Sequence, residues 1–229
     1  MKPYYDEDGI TIWHGDCREV LPLLNESSVD AIVTDPPFFM PATHYQSRVQ
    51  WQRSWSDTSV LAAFWETIVD RSVRVLRETG HMLTFCNGDS YPVFYPEMYR
   101  RFDFLKCLVW DKEHFGMGRV WRNQHELLIA ARWSSSVFRD DGKHRIDILR
   151  HRITPPRDRR HPVEKPMSLL ADLIEPTVPI DGTVLDPFMG SGTTLEAAKR
   201  DGLQAIGIEG EERYCESAAR RLSQMTLPL

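Results

Sequence analysis

The chain has 229 residues, of which 41% are hydrophobic and 27% charged, enough apolar material for one large α/β domain and too much for a disordered chain. The four cysteines are widely separated and form no C-x-x-C pair, which favours reduced thiols over a disulfide framework or a zinc site. The polar start and the lack of an apolar run of about 20 residues predict neither a secretion signal nor a membrane span.

The net charge of −5 argues against a nucleic-acid partner when it is taken for the whole chain, but the charge is unevenly distributed. Residues 132–160 contain nine Lys or Arg and four Asp, a net charge of +5 that leaves −10 on the rest of the chain. A basic segment on an acidic body is typical of a surface that contacts phosphates. A solvated loop without a ligand would have the same composition, so the charge alone leaves both interpretations open.

Strand patterns alternate with helical patterns along the chain. The predicted strands are 10–13, 30–33, 81–86, 104–110, 125–131, 183–186 and 204–209. The predicted helices are 59–79, 89–102, 166–176, 192–201 and 211–224. Several strands are continuous apolar runs, and the alternation predicts a mostly parallel, doubly wound sheet with helices on both faces. Two long interruptions, 38–58 and 133–160, are predicted to be functional or disordered loops.

The segment TDPPF, residues 34–38, follows directly on the buried strand DAIV. Pro36 and Pro37 end regular structure there and fix a backbone carbonyl beside the carboxylate of Asp35. This pair offers two preorganised acceptors to one amino group, and Phe38 offers a flat face on which a base can stack. Asp35, Pro36, Pro37 and Phe38 are therefore predicted to be catalytic, although D-P-P alone would also fit an ordinary turn.

The segment TVLDPFMGSGTT, residues 183–194, has the pattern of a strand, a glycine-rich turn and a helix. It lacks the lysine of an ATP-binding P-loop, and Leu195 stands where a dinucleotide fold has its third glycine. Asp186 at the strand end suits the ammonium group of a methionine moiety, which points to S-adenosylmethionine. Glu209, 17 residues after Gly192, is placed for the ribose hydroxyls. A nicotinamide oxidoreductase is an alternative that would leave TDPPF unexplained.

Together the two motifs resemble those of the DNA amino-methyltransferases, which methylate adenine at N6 or cytosine at N4. Their order is similar to the permuted β class, in which the catalytic motif precedes the target-recognition segment and the cofactor motif lies near the C-terminus. The resemblance covers roughly residues 10–222. It implies a circularly permuted S-adenosylmethionine-dependent methyltransferase fold with a seven-stranded, mostly parallel sheet. It further implies a single domain over 1–229, with a catalytic half 1–132, a short basic target-recognition segment 133–160 and a cofactor-binding half 161–229.

The resemblance also assigns individual residues. The catalytic motif is Asp35-Pro36-Pro37-Phe38, and Trp110-Asp111-Lys112 with His125-Glu126 looks like the hairpin beside the flipped base. Asp16 is similar to the acid near the adenine of the cofactor, and His161-Pro162 with Lys165-Pro166 looks like the segment that closes over the cofactor. The cofactor-binding residues implied are Asp16, Lys165, Asp186, Phe188, Gly190, Ser191, Gly192, Thr193 and Glu209. No metal is expected. Asp35 and Asp186 should meet at one rim of the sheet although they are 151 positions apart.

The implied partner is double-stranded DNA, from which the target base must be flipped out at a cost of a few kcal/mol. The residues predicted to contact DNA are Arg48, Arg53, Arg150, Arg152 and Arg157. Segment 133–160 is short for target recognition. Three alternatives follow: few contacts with bases, a short DNA recognition site, or a second subunit that completes the surface. The last alternative would be a homodimer. The expected setting is a prokaryotic or phage-encoded modification enzyme of the cytoplasm, associated with the nucleoid.

Asp35 before the two prolines favours adenine within this family, whereas Phe38 departs from the tyrosine usual in adenine enzymes. The predicted reaction is therefore methylation of adenine N6, with cytosine N4 as the alternative. A non-catalytic DNA-binding module on the same fold is a further alternative. RNA or protein amide methyltransferases, which typically have asparagine before the prolines and the cofactor motif first, fit the motif order less well.

Overall fold

A computed structural model describes residues 1–39, 57–116, 120–139, 144–155 and 164–225. Among these residues, nine strands form one sheet in the order β1-β2-β9-β8-β3-β4-β6-β5-β7. The strands are β1 (Tyr5–Glu7), β2 (Ile10–His14), β3 (Val29–Thr34), β4 (Leu76–Cys86), β5 (Phe104–Asp111), β6 (His125–Arg132), β7 (Ile148–Arg150), β8 (Thr183–Asp186) and β9 (Gln204–Glu209). The α-helices are α1 (Cys17–Val20), α2 (Thr58–Val75), α3 (Tyr91–Tyr99), α4 (Met167–Ile174), α5 (Thr193–Arg200) and α6 (Glu212–Ser223).

Seven of these strands run in one direction, and β1 and β6 run against it. All seven strands predicted from the sequence are present, which confirms the mostly parallel sheet. The two outermost strands, β1 and β7, and the four-residue helix α1 were not predicted. Each is too short to show a periodic pattern in the sequence.

The sheet is covered on both faces, as predicted. Alternate residues of β3 point to opposite faces, so Ala31 and Val33 lie in the apolar cluster that contains α4, α5 and α6. Ile32 lies in the other cluster, which contains residues of α1, α2 and α3. The continuous apolar run of β3 therefore follows from its place at the centre of the sheet, where neither face meets water.

Helix α2 ends at Val75, four residues before the predicted end, and the chain enters β4 directly. Leu76 has extended backbone angles (φ −77°, ψ 136°) and pairs with Val29 of β3. The sequence missed this boundary because residues 76–79 continue the helical pattern. Burial of Leu76 beside β3 overrides that local preference.

Within the described ranges, the longest apolar helix stretch falls short of what crossing a membrane requires. The same residues contain no group of His, Cys, Asp and Glu side chains arranged to hold a metal ion. All four cysteines are free thiols.

The pairing of β3 with β8 joins the two halves of the chain through only two register pairs, Ala31 with Val184 and Ile32 with Leu185. A side-chain hydrogen bond reinforces each end of this pairing. At the amino end, Asp30 Oδ2 accepts from the Thr183 backbone N–H at 2.9 Å. At the carboxyl end, Thr34 Oγ1 donates to Asp186 Oδ1 at 3.0 Å. Residues 35 and 186 therefore meet at one rim of the sheet, as predicted.

Replacing Asp30 by alanine tests the reinforcement at the amino end. Asp30→Ala leaves the Thr183 N–H without its acceptor and removes the ion pair with Arg77, 3.2 Å away. We expect the free energy of unfolding to fall by about 1–3 kcal/mol. Urea denaturation measures it, with Asp89→Ala on an exposed loop as control. Equal unfolding midpoints for the two variants would contradict the role of Asp30.

Candidate active site

Four neighbouring parallel strands each have an acidic residue at or just beyond their carboxyl end. In sheet order these are Asp16 after β2, Glu209 ending β9, Asp186 ending β8 and Asp35 after β3. The Gly15 N–H donates to the Glu209 carbonyl at 2.9 Å and joins the first two strands at this edge. Ligands of open α/β sheets bind beyond this edge. The structure thus brings the predicted catalytic aspartate and the predicted cofactor acids together.

The glycine-rich turn after β8 depends on two glycines with left-handed backbone angles, Gly190 (φ +52°) and Gly192 (φ +77°). A Cβ on Gly192 would lie 2.9 Å from the Ala218 Cβ, so this glycine is required for packing against α6. A Cβ on Gly190 would meet no described atom within 4 Å, so the backbone faces open space there. The Gly190 N–H donates to Glu209 Oε2 at 3.0 Å. The turn is therefore packed on one side and open on the other, as a ligand cradle requires.

Asp186 is only 4% exposed, and its carboxylate accepts three hydrogen bonds from within the protein. Its donors are Thr34 Oγ1 at 3.0 Å, Thr194 Oγ1 at 2.7 Å and the Phe188 N–H at 3.1 Å. Burial raises the pKa of Asp186 to about 6 in spite of these donors, and Asp35 adds to the rise. Asp186 therefore fixes the turn and links it to β3. The contact with a cofactor ammonium group that the sequence predicts would use its remaining acceptor capacity.

Asp16 is also engaged within the protein. Its carboxylate accepts from the Arg18 N–H at 2.8 Å and pairs with Arg18 Nε at 3.0 and 3.1 Å, and these hydrogen bonds lower the pKa of Asp16. The Arg18 guanidinium lies 5.6 Å from the ring centre of Phe64, which packs against the predicted cofactor residue Phe188 at 5.9 Å. Arg18 and Phe64 form one wall of this part of the edge. Neither residue belongs to a motif that the sequence reveals.

The loop after β3 is anchored by the loop that follows β4. The Phe39 N–H donates to Ser90 Oγ at 2.8 Å, and Asn87 Nδ2 donates to the Phe39 carbonyl at 3.2 Å. No described residue donates a hydrogen bond to the carbonyl of Pro36 or Pro37. The two prolines are thus held in place with their carbonyl oxygens available as acceptors.

Asp35 presents one occupied oxygen and one unoccupied oxygen. Its side chain is 23% exposed, and Oδ2 contacts the ammonium group of Lys165. Oδ1 is buried and has no hydrogen-bond partner among the described residues. A buried acceptor without a donor costs about 1–3 kcal/mol, so Oδ1 is suited to a donor that arrives with a ligand.

Lys165, which is predicted to bind the cofactor, contacts Asp35, which is predicted to be catalytic. It is 9% exposed, and its Nζ is 3.1 Å from Glu126 Oε2 as well as in contact with Asp35. Glu126 Oε1 in turn lies 2.6 Å from the Nζ of Lys112. The rings of three aromatic residues surround the Lys165 ammonium group, with centres at 4.9 to 5.9 Å: Phe85, Phe38 and Trp110. The predicted hairpin residues around Trp110 and Glu126 are thus brought to the catalytic motif.

The charges of this cluster are set by its pairing. Burial would lower the pKa of Lys165, but Asp35 and Glu126 raise it, so the ammonium form persists. Burial would raise the pKa of Glu126, but Lys165 and Lys112 hold it below its usual range. Burial raises the pKa of Asp35, which shares a single lysine with Glu126, against the opposing effect of that lysine.

The segment that carries Lys165 also touches the cofactor half. The preceding residue, Glu164, accepts a hydrogen bond from Thr193 Oγ1 at 3.4 Å, at the start of α5. Arg221 of α6 donates to the carbonyl of Ser191 and lies 3.9 Å from Glu164. Residues 164 and 165 therefore connect the glycine-rich turn to the catalytic motif.

The predicted DNA contacts divide into two groups. Arg150 and Arg152 are exposed beside the carboxyl end of β5, where Arg150 is in register with Asp111. Arg48, Arg53 and Arg157, together with His161 and Pro162, lie outside the described residues. Part of the basic charge of segment 133–160 is used within the protein: Arg139 pairs with Asp201 and Arg145 with Glu175, at 3.2 and 3.1 Å.

The family model for N6/N4 methyltransferases, described as DNA methylase, matches residues 117–220. The type II methyltransferase M.HinfI of Haemophilus influenzae is 27% identical over 98% of this chain and 71% of its own length. The type II methyltransferase M2.MboI of Moraxella bovis is 27% identical over 99% of this chain and 93% of its own length.

Two solved structures are similar over nearly the whole chain. The M1.HpyAVI–SAM complex matches with a TM-score of 0.68 at 25% identity and covers 93% of this chain and 99% of its own. The PvuII DNA methyltransferase, named as cytosine-N4-specific, matches with a TM-score of 0.76 at 15% identity and covers 98% and 91%. At 15% identity the second likeness shows the fold alone.

The raised pKa of Asp186 predicts a pH-dependent stability. Between the usual pKa of 3.8 and the folded value of about 6, the folded protein keeps a proton that the unfolded chain has lost. The stability is therefore complete below the lower value and falls by about 3 kcal/mol as the pH rises through the upper one. Asp186→Asn stays neutral, so its free energy of unfolding relative to the wild type should rise over this interval.

Urea unfolding at several pH values measures this difference, with Asp89→Asn as the exposed control. A difference between Asp186→Asn and the wild type that stays constant from about pH 4 to about pH 6 would contradict the assignment.

Proposed function

We propose that this chain is a DNA amino-methyltransferase and that it transfers a methyl group from S-adenosylmethionine to the exocyclic N6 amino group of adenine in double-stranded DNA. Among its relatives are type II modification methyltransferases. The chain would accordingly act in the cytoplasm of a bacterium or phage-infected cell, as the modification partner of a restriction system.

The observation that carries this proposal is the buried Oδ1 of Asp35, an acceptor without a donor at the carboxyl edge of the sheet. The amino group of adenine has two N–H donors and a lone pair that is delocalised into the ring. One N–H can donate to Asp35 Oδ1 and the other to the carbonyl that Pro36 and Pro37 hold in place. These two bonds favour a pyramidal nitrogen, whose lone pair then points along a fixed direction. Phe38 supplies a face on which the base can stack.

The glycine-rich turn fits the methyl donor. S-adenosylmethionine supplies an electrophilic methyl group on a sulfonium centre. The open side of Gly190 gives its methionine part room against the backbone, and the buried Asp186 beside it places negative charge near a cationic ligand. Glu209 lies at the end of the next strand, as an acid on the ribose hydroxyls would. One similar structure was solved as a complex with this cofactor.

Asp35 before the prolines supports adenine as the target. Methylation of cytosine N4 is the second candidate, because Phe38 replaces the tyrosine usual in adenine enzymes. Both bases present an exocyclic amino group with the same two donors. The chemistry at Asp35 is therefore the same for both, and the choice depends on the rest of the base pocket.

The base must leave the duplex to reach a buried oxygen, which costs a few kcal/mol. Positive charge near the rim offsets part of this cost through phosphate contacts. Arg150 and Arg152 are exposed at the appropriate edge, and Arg48, Arg53 and Arg157 are proposed for the same role from the sequence. A second subunit is one way to enlarge this small surface.

The direct test is to identify the methylated base. Wild-type protein is incubated with unmethylated duplex DNA and S-adenosylmethionine, and the DNA is digested to nucleosides for mass spectrometry. We expect N6-methyladenine from the wild type and at least about a hundredfold less from Asp35→Ala, because an orienting acceptor for the amino group is lost. N4-methylcytosine instead would keep the mechanism and replace the base. No methylated base on any duplex would favour the non-catalytic module.

A pair of glycine substitutions tests the cofactor cradle. Gly190 and Gly202 both have left-handed backbone angles (φ +52° and +71°) and open space where a Cβ would stand, but only Gly190 lies in the turn after β8. Alanine should strain both positions by about 1–2 kcal/mol. We expect Gly190→Ala to raise the Kd for S-adenosylmethionine at least about tenfold in calorimetry, because the methyl group fills the cradle. Equal affinities of the two variants would exclude Gly190 from the site.

A further inference from the structure

Four charged side chains of alternating sign form a chain that starts at the catalytic aspartate. Asp35 contacts Lys165, Lys165 lies 3.1 Å from Glu126, and Glu126 lies 2.6 Å from Lys112. They come from the loop after β3, the segment before α4, strand β6 and the residue after β5. The cluster is neutral as a whole, although all four members are largely buried: the side chains are 23%, 9%, 18% and 21% exposed for Asp35, Lys165, Glu126 and Lys112.

Among the described residues, two carboxylates pair with Lys165, those of Asp35 and Glu126. The rings of Phe85, Phe38 and Trp110 surround its ammonium group, with the nearest centre 4.9 Å away. Aromatic faces attract a cation but accept no ordinary hydrogen bond. Lys165 can therefore fix the carboxylate of Asp35 through Oδ2 and leave Oδ1 directed to a ligand, provided that a second group balances its charge.

The chemistry makes that balance necessary. In methyl transfer the N–CH3 bond forms as the S–CH3 bond breaks, and the sulfur keeps the electron pair and leaves as the neutral thioether of S-adenosylhomocysteine. The positive charge passes to the attacking amino nitrogen, which then releases a proton to solvent water. Asp35 assists because it is negative and accepts a hydrogen bond from that nitrogen. An unbalanced ammonium group in contact with Asp35 would cancel much of this assistance, because charges interact strongly at a partly buried site. Glu126 Oε2 lies 3.1 Å from the Lys165 Nζ and supplies the opposite charge.

Resting on the proposed function, we propose that Glu126 is a positioning residue for methyl transfer: it holds Lys165 so that the lysine orients Asp35 without neutralising its effect on the amino group. Lys112 keeps Glu126 ionised from the other side. The signal was present in the sequence, since Glu126 stands at the start of an otherwise apolar strand, but nothing there shows which cation it faces.

The pKa of Asp35 provides a measurement that a purely structural role of Glu126 would not change. Lys165 and Lys112 lower the pKa of Asp35, whereas burial and Glu126 raise it, and Asp186 faces it from the end of β8. Removing Glu126 should therefore shift the acidic limb of the kcat/KM profile for DNA to lower pH. Removing the charge of Lys165 should shift the same limb to higher pH.

The experiment compares Glu126→Gln and Lys165→Gln with the wild type on one duplex, measured as methyl groups transferred at saturating S-adenosylmethionine across a pH series. Glu126→Gln keeps the shape of the side chain and replaces one acceptor oxygen by an NH2 donor, whereas Lys165→Gln shortens the side chain but keeps N–H donors without the charge. We expect each to lower kcat at least about tenfold, with opposite shifts of the acidic limb and with Kd for S-adenosylmethionine unchanged within about twofold. The Glu126→Gln effect should shrink in the Lys165→Gln background, because the two act through one contact.

Lys106→Gln, which removes an exposed lysine paired with Asp147, is the control and should leave kcat and the profile unchanged. Limbs that shift in the same direction, or not at all, would overturn the positioning role. So would a loss of S-adenosylmethionine affinity by Lys165→Gln with an unchanged kcat, which would return Lys165 to the cofactor site. If the wild type and both variants are equally active, the positioning role of Glu126 is refuted and the proposed function stands. If the wild type itself is inactive, the proposed function is refuted.

Discussion

The parallel pairing of β3 with β8 is the contact on which the site depends. The two strands are 153 positions apart at the Asp30–Thr183 bond and share only two register pairs, yet one ends in the catalytic loop and the other in the glycine-rich turn. Side-chain bonds at both ends compensate for the short ladder. Asp186 has a double role here, because the same carboxylate accepts from Thr34 on β3 and from Thr194 at the start of α5. Strand pairing and turn geometry are thus fixed by one buried group.

Three of the four carboxylates at this edge are stabilised in different ways, and the difference separates their chemistry. Asp186 is satisfied by hydroxyl and backbone donors and pairs with no described cation, so burial raises its pKa. Asp16 is held by a guanidinium group, which lowers its pKa. Asp35 has a lysine on Oδ2 and, among the described residues, no partner on Oδ1. Of these three, Asp35 offers a buried acceptor without a described donor, and this property suits the proposed attack by a weakly nucleophilic amino group.

The sequence predicted what local pattern and chemistry can specify. Several of the seven predicted strands are continuous apolar runs. Asp35, Asp186, Gly190 and Glu209 belong to motifs whose spacing follows from the geometry of a strand, a turn and a ligand. Apart from the meeting of Asp35 and Asp186 at one rim of the sheet, the sequence could not predict which side chains are in contact across the fold. Arg18 and Phe64 reach the edge from α1 and α2 without any motif of their own. Lys165 is predicted to bind the cofactor because its motif lies in the cofactor half. Its contact with Asp35, 130 positions away in the sequence, depends on how that segment crosses the sheet edge.

The segment that contains Lys165 crosses the edge of the sheet, and this crossing helps a permuted chain to keep a single reaction centre. Permutation changes which motif is made first, but the rim of the sheet still places the donor turn beside the acceptor loop. Residues 164 and 165 add a second connection between them, beside the hydrogen bond from Thr34 to Asp186. Glu164 bonds to Thr193 of the cofactor half, while the next side chain, Lys165, reaches Asp35 and Glu126 of the catalytic half. Two neighbouring residues of one segment therefore contact the two halves of the site through different partners.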